Sequence, residues 1–234
     1  MGSTAGPDLI QNGLVLSFDA ADKNSYKGSG TTWKDLSGNA NNATLTNSPT
    51  FSNANIGTLT FARASTQYAE TDSSISSLSN WTIESWVKFT TIPSANTTVS
   101  AIVTNVFNGS NINFSLTTDV DGSANKGIYV AFYNGTWRYA AFHAPSAGVW
   151  YHYIGTYDGA TIKMYVNGSL YSSTAYVGTS SSGGKVRIAR RWDDAVTIGN
   201  FINGSIPIVR VYNTALTATE VLQNYTANKT RFGL

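Results

Sequence analysis

The sequence contains no cysteine among its 234 residues. This absence excludes thiol catalysis, cysteine-ligated zinc and disulfide bonds, but it leaves the compartment open, because disulfides are optional outside the cell. Histidine is almost as scarce, with only His143 and His152. No serine stands in the Gly-x-Ser-x-Gly setting that is typical of many serine hydrolases. The residue types therefore do not favour nucleophilic catalysis.

Charge is also scarce, since Asp, Glu, Lys and Arg make up 12% of the chain and the net charge is +2. No run of Lys or Arg concentrates that charge, so we expect no nucleic-acid partner. No apolar stretch approaches the roughly 20 residues that a membrane-spanning helix needs, so we expect no membrane partner. The opening "MGSTAGPDLI" lacks the charged and apolar regions of a signal peptide.

Aromatic residues and turn-forming residues are abundant, and they follow the period of a strand. In "WYHYIGTYDGATIKMYVNG", residues 150–168, side chains alternate between two faces before Asp158-Gly159 and again before Asn167-Gly168. Both dipeptides suit the positive-φ positions of tight turns, and Asn134-Gly135 gives a further hairpin signal. These patterns predict consecutive antiparallel strands.

The rest of the chain extends this prediction to one all-β domain over 13–234, preceded by a flexible lead-in over 1–12. The run 81–89 is apolar on both faces and predicts a central strand, whereas Pro207 predicts an edge strand or a bulge. One helix is expected after Thr217, where the spacing of polar residues forms a capping box, and we expect it to close one end of the sandwich. The predicted fold is an antiparallel two-sheet jelly-roll sandwich with one short C-terminal helix.

Two blocks of this sequence resemble a known family. They read "WYHYIGTYDGATIKMYVNGSL" and "IARRW…FINGSIPIVRVYNTALTATEV", and they are similar to the laminin G-like domains of the concanavalin A-like lectin and glucanase superfamily. The opening "GLVLSFDA…SYKGSGTTWKDLSGNANNATLTNSPTF" and the ending "NYTANKTRFGL" resemble the version found in structural proteins of tailed bacteriophages. The resemblance implies a jelly roll that binds carbohydrate on its curved face or loops, often beside calcium, but it implies no reaction.

Glycoside hydrolysis by the retaining route needs two carboxyl groups about 5 to 5.5 Å apart. On one strand this means acidic residues two or four positions apart, and Glu70 with Asp72 comes closest, although no strong alternation surrounds them. Glu84 is the only acidic residue in its strand. We therefore expect a protein that is not an enzyme.

Calcium is the metal that the resemblance favours. In the pentraxin branch of the superfamily, calcium is held by an acidic loop before the last strand and by an Asp/Asn pair in an earlier loop. The matching positions here are Asp193 and Asp194, and Asn108 and Asn111. The alternative is that the two aspartates pair with neighbouring arginines or face water. Elsewhere, "DVDG" at 119–122 is either a polar hairpin loop or a fragment of a calcium loop.

Sugar binding would use an exposed aromatic ring, because the apolar face of a pyranose can cover it while polar side chains bind the hydroxyls. The candidates are Trp137, Trp192 and Tyr133, with Arg191 as a polar partner. The remaining tryptophans lie in apolar strands or near a structured loop, and we expect them to be structural.

These observations favour a non-catalytic virion surface protein of a tailed bacteriophage, either a capsid decoration or a fibre-like module, with a carbohydrate-binding or adhesive role. Its partners would be glycans, other virion proteins or further copies of itself, and its place the virion surface or another extracellular setting. The alternatives are a secreted or cell-surface bacterial lectin module and, third, a polysaccharide-degrading enzyme.

Overall fold

The chain folds into two stacked antiparallel sheets, as the sequence predicts. The computed structural model describes residues 7–53, 57–92, 99–106, 111–120, 126–140, 142–178, 183–192 and 200–234. Within them, each sheet contains eight strands.

The first sheet has the order β14-β13-β12-β7-β16-β5-β4, with β1 also paired to β16. Its strands, in chain order, are β1 (Leu14–Asp19), β4 (Thr50–Ser52), β5 (Thr58–Phe61), β7 (Trp81–Phe89), β12 (Trp150–Tyr157), β13 (Thr161–Val166), β14 (Ser169–Ala175) and β16 (Gly204–Tyr212). The apolar run at 81–89 therefore forms a strand between two others, which confirms its predicted central place.

The second sheet has the order β11-β10-β9-β8-β15-β6-β3-β2. Its strands are β2 (Thr32–Trp33), β3 (Ala43–Thr46), β6 (Tyr68–Thr71), β8 (Ser100–Val106), β9 (Asn111–Val120), β10 (Lys126–Asn134), β11 (Trp137–Tyr139) and β15 (Lys185–Ile188). The hairpin of β10 and β11 thus lies at one edge of this sheet.

The predicted turns connect neighbouring strands. Asp158-Gly159 joins β12 to β13, and Asn167-Gly168 joins β13 to β14. Asn167 and Gly168 have φ angles of 50° and 78°, which is the geometry of a type I′ turn that matches the twist of a hairpin. Pro207 lies where the pairing of β16 with β7 shifts register between Ser205 and Ile208. Because β16 is paired on both sides, the bulge and not the edge explains this proline.

The main core lies between the sheets and follows the strand alternation. Tyr153 and Tyr157 of β12 are buried in it, whereas His152 and Ile154 point to the opposite, outer face of the first sheet. In the second sheet, Phe132 faces the core. Residues next to it along β10 therefore face outward.

The helix α1 (Ala218–Asn228) starts as predicted, with Thr217 and Glu220 forming a capping box. It does not close an end of the sandwich but covers the outer face of the first sheet, together with a 3₁₀ turn at Lys229–Phe232. The reason is that this face carries large apolar side chains such as Trp86 and Ile208, which need cover from water. None of the described helices is long and apolar enough to span a membrane.

Candidate functional site: an aromatic platform on the second sheet

The site begins with the hairpin of β10 and β11. The turn at Asn134-Gly135, with φ of 97° at Gly135, places Tyr133 directly opposite Trp137. Residues opposite each other in antiparallel strands share a face, and the two ring centroids are 5.2 Å apart. The neighbouring Phe132 faces the core, so Tyr133 and Trp137 lie on the outer face of the second sheet.

Trp192 reaches the same face from a distant part of the chain. Its ring centroid lies 4.9 Å from that of Trp137, with an angle of 55° between the ring planes. The main chain carrying it is held by Arg187, whose Nη1 donates to the Trp192 carbonyl oxygen at 3.1 Å. Arg187 is itself fixed by Glu70, whose Oε2 lies 2.5 Å from its Nε.

Arg191 completes the group. Its guanidinium carbon lies 4.8 Å from the ring centroid of Trp192, within cation–π range. We name these four residues, Tyr133, Trp137, Trp192 and Arg191, the aromatic platform. All four are half-buried, so each presents part of its surface to solvent. The structure therefore brings together the four residues that the sequence analysis selected from separate segments.

A second aromatic group continues the platform along the hairpin, and the sequence analysis missed it. Tyr139 is two residues after Trp137 and faces the same side, with 45% of its surface exposed. Its ring packs against Tyr129 at 6.0 Å and Phe142 at 5.5 Å between centroids. The alternation of Trp137 and Tyr139 in "NGTWRYAAF" was the available signal.

A cleft lies beside the hairpin. It has a volume of about 400 Å³, and Arg138, Tyr176 and Ile162 are among the residues that line it. The Arg138 guanidinium carbon lies 4.3 Å from the Tyr176 ring, and Asn134 Nδ2 donates to the Tyr176 hydroxyl at 2.9 Å. That hydrogen bond is the main cause that lowers the pKa of Tyr176.

Of the carboxylates considered for catalysis, Glu70 and Glu84 are engaged in ion pairs, whereas Asp72 Oδ1 accepts a hydrogen bond from the Thr44 hydroxyl at 3.0 Å. Glu70 contacts Arg187 and Lys185, the latter at 3.5 Å. Glu84 lies fully buried beneath α1, with Arg210 Nη1 2.6 Å from its Oε1 and His152 Nε2 3.1 Å from the same atom. Burial opposes the charge of Glu84, but Arg210, His152 and Asn224 outweigh it and lower its pKa to about 2. Glu84 is therefore a structural anion.

Neither histidine sits in a catalytic arrangement within the described part of the chain. His152 is buried in β12 beside Glu84, as a structural strand residue. His143 Nδ1 lies 2.7 Å from the hydroxyl of Tyr153, a partner that the sequence analysis did not identify. Burial lowers the pKa of His143, which favours the neutral imidazole.

The predicted calcium ligands are mostly outside the described residues. Asp193, Asp194 and Asn108 fall there, while Asn111 pairs with Asn134 between β9 and β10 through its main chain. In the ranges that the structure describes, no group of three or more His, Asp or Glu side chains is arranged to hold a metal ion. Calcium binding remains a prediction.

Comparison with known proteins supports the fold. A laminin G family model, described as concanavalin A-like lectin/glucanases superfamily, matches residues 63–222. A search of curated protein sequences finds no match. One similar solved structure is domain 4 of AbnA, a GH43 extracellular arabinanase from Geobacillus stearothermophilus, in complex with arabinotriose. It is 17% identical, with a TM-score of 0.68 over 91% of this chain and 98% of that one.

Two further solved structures are similar over part of their own length. The receptor binding domain of botulinum neurotoxin type G is 16% identical, with a TM-score of 0.65 over 92% of this chain and 51% of that one. The sialidase of Trypanosoma rangeli, in complex with the inhibitor DANA, is 14% identical, with a TM-score of 0.67 over 98% of this chain and 36% of that one. The chain thus spans about half of the toxin domain and about a third of the sialidase. At these identities the likeness concerns the fold.

Proposed function

We propose that this chain, which belongs to the concanavalin A-like lectin/glucanases superfamily, is a non-catalytic carbohydrate-binding module. Its ligand stacks on the aromatic platform. The observation that carries the proposal is the meeting of Tyr133, Trp137 and Trp192 on one outer face, from two distant parts of the chain. Unlike the outer face of the first sheet, this face is covered by none of the described helices and its rings stay half-buried, so their grouping favours contact with a ligand.

The chemistry of the platform suits a sugar. The C–H groups of one pyranose face can cover an indole ring, and stacking keeps the hydroxyls at the rim where polar side chains can bind them. Arg191, packed on Trp192, places a polar, cationic side chain beside that ring. The arabinotriose complex of the similar arabinanase domain supports the same ligand class.

The absence of catalysis is part of the proposal. Glu84 and Glu70 are both committed to arginine partners, and acid–base cleavage needs carboxyl groups on either side of the scissile bond. An assay for reducing-sugar release from laminarin, agar and alginate tests this. Release that survives purification to homogeneity would overturn it.

We further propose that the module works on the surface of a tailed-bacteriophage virion, as a capsid decoration or a fibre-like part. The opening and closing sequence blocks, which resemble phage structural proteins, support this setting, as does a chain with only 12% charged residues. Mass spectrometry of purified particles tests it, and absence of the chain from the virion would exclude it.

A secreted or cell-surface bacterial lectin module is the second candidate. It is favoured by the extracellular enzyme and the toxin among the proteins with a similar fold. A glycan array with and without a calcium chelator separates the two, because calcium-dependent binding to one sugar class supports the lectin module.

The platform itself is tested by Trp137→Ala, with Leu222→Ala as the matched control. Leu222 is 51% exposed on α1, away from the platform. We expect Trp137→Ala to lower the affinity for the glycan identified on the array by at least about tenfold, since a stacked tryptophan acts as a binding hot spot. Calorimetric titration measures the effect. Equal affinity of the two variants would show that the glycan binds elsewhere on the protein.

A further inference from the structure

Three arginines are almost fully buried in the described part of the chain, and they differ in their partners. Arg210 is paired with Glu84 at 2.6 Å, and Arg187 is paired with Glu70 at 2.5 Å. Arg190 is 6% exposed, but no carboxylate of the described residues lies within ion-pair distance of it. Arg190 is therefore the one buried guanidinium of the three for which the described chain supplies no anion.

Aromatic rings surround Arg190 instead. Its guanidinium carbon lies 4.8 Å from the centroid of Tyr68 and 5.5 Å from that of Phe201. Its Nε is buried without a hydrogen-bond partner. Ring faces attract a cation, but they have no oxygen lone pairs, so they cannot replace the strong, directional hydrogen bonds that a guanidinium forms with an anion.

A second cation reaches the same place. Arg63 Nε donates to the carbonyl oxygen of Phe201 at 2.9 Å, and Phe201 is also bridged to Arg190 through the main chain. Arg63 Nη2 is buried without a partner, and no salt bridge joins Arg63 to a described carboxylate. Two arginines with unsatisfied N–H groups therefore meet at Phe201.

This arrangement is costly without an anion. A buried charge that lacks a partner costs several kcal/mol as a general rule, and native structures seldom leave buried donors unpaired. The planar guanidinium fork matches the paired oxygens of a carboxylate or a sulfate. The geometry calls for an anionic group with such oxygens.

The position of Arg190 connects this anion site to the aromatic platform. Arg190 precedes Arg191 and Trp192 directly in the chain. Tyr68, on which Arg190 packs, alternates in β6 with Ala69, which faces the core. Tyr68 and Arg190 therefore lie on the outer face of the second sheet, as the platform does.

We infer that the ligand of the platform is an acidic glycan, whose carboxylate or sulfate group is bound by Arg190 and Arg63 while a sugar ring stacks on Trp137 and Trp192. The inference rests on the proposed carbohydrate-binding function and narrows its ligand class. Either acidic group supplies the same pair of oxygens.

Matched pairs of oligosaccharides test the inference. Tetragalacturonate is compared with its methyl ester, and a κ-carrageenan tetrasaccharide with its desulfated form, by calorimetric titration at low and moderate salt. We expect at least one acidic member to bind about tenfold or more tightly than its neutral counterpart, since the neutral form lacks the charge-assisted pair. Arg190→Gln should abolish that preference, Arg190→Lys should retain part of it, and Lys163→Gln, on the first sheet, should leave it unchanged.

If the neutral and acidic oligosaccharides bind equally tightly, the inference of an acidic ligand is wrong. If Trp137→Ala still abolishes that binding, the proposed carbohydrate-binding function stands. If Arg190→Gln fails to fold, Arg63→Gln gives the same comparison from a half-buried position.

A measurement without any sugar tests the anion site alone. Inorganic sulfate is titrated into the ¹⁵N-labelled protein against sodium chloride of equal ionic strength, while the Nε–Hε resonance of Arg190, assigned through Arg190→Lys, is followed. We expect a saturable shift of this resonance. If it does not move and no acidic oligosaccharide is preferred, Arg190 serves only to pack Tyr68 and Phe201.

Discussion

The outer faces of the two sheets carry similar residue types and use them in opposite ways. On the first sheet, Trp86, His152 and Tyr212 are fully buried beneath α1 and the following 3₁₀ turn. On the second sheet, Trp137 and Trp192 stay half-buried on a face that none of the described helices covers. Aromatic residues alone therefore do not distinguish a core from a binding surface, whereas the element packed over them does.

A buried network of charged and polar side chains also stabilises the covered face of the first sheet. The carboxylate of Glu84 in β7 accepts hydrogen bonds from Arg210 in β16 at 2.6 Å and from Asn224 in α1 at 2.8 Å. Asn224 also accepts the main-chain N–H of Ile10 at 3.0 Å. This network ties the helix and the N-terminal segment to the first sheet.

The largest effect should come from breaking the buried network. Glu84→Gln leaves Arg210 buried without its anion, so we expect a loss of about 3 to 5 kcal/mol in the free energy of unfolding. Glu70→Gln is the comparison on the other sheet. It also leaves a buried arginine, Arg187, without its anion, but Glu70 itself is 23% exposed, so water can replace part of the lost interaction and we expect a smaller loss of about 1 to 2 kcal/mol. Urea denaturation measures both. Equal losses would remove the distinction between the two faces.

Acid should also weaken the buried network around Glu84, because it protonates the carboxylate. The pKa of Glu84 is lowered from 4.5 to about 2 in the folded chain, so its ion pairing stabilises the fold above pH 4.5 and is lost as the pH falls towards 2. The stability difference between the wild type and Glu84→Gln should therefore narrow over this window. Thermal unfolding at pH values from 7 to 2 checks it, and a constant difference would contradict the assignment.

The smallest effect should come from Tyr139, the exposed aromatic residue that follows Trp137 on β11. Trp137 and Tyr139 are two residues apart on one strand, about 7 Å at the usual strand rise, so a longer oligosaccharide could reach both rings. We expect Tyr139→Ala to weaken a tetrasaccharide about threefold and a disaccharide not at all, with little change in stability. Titration with both chain lengths measures this, and equal losses for both would place Tyr139 in the primary site.

Local signals carried most of the fold prediction. Strand alternation and the Asn-Gly and Asp-Gly turns depend on neighbours in the chain, and so does the pairing of Tyr133 with Trp137 across one hairpin. The capping box of α1 is local as well. Features of this kind are predictable because a few adjacent residues determine them.

The features that prediction missed join distant segments. Arg210 and Asn224 lie 126 and 140 residues from Glu84 along the chain, and no local pattern announces their meeting. The same holds for α1. It packs over the first sheet because the assembled strands place Trp86 and Ile208 together on the outer face of that sheet. Trp192 was selected as a candidate exposed aromatic ring, but its packing on Trp137 depends on the completed sheet.

Both described ends of the chain are fastened on the side of the first sheet. Gln223 Nε2 donates to the carbonyl oxygen of Asp8 at 2.6 Å, and Phe232 packs on Trp86 with ring centroids 4.2 Å apart. A tether joined to either described end would thus start on the outer side of the first sheet, and the surface with the aromatic platform would lie on the opposite side of the sandwich. Immobilising the protein through a terminal tag should accordingly leave that surface open to solution.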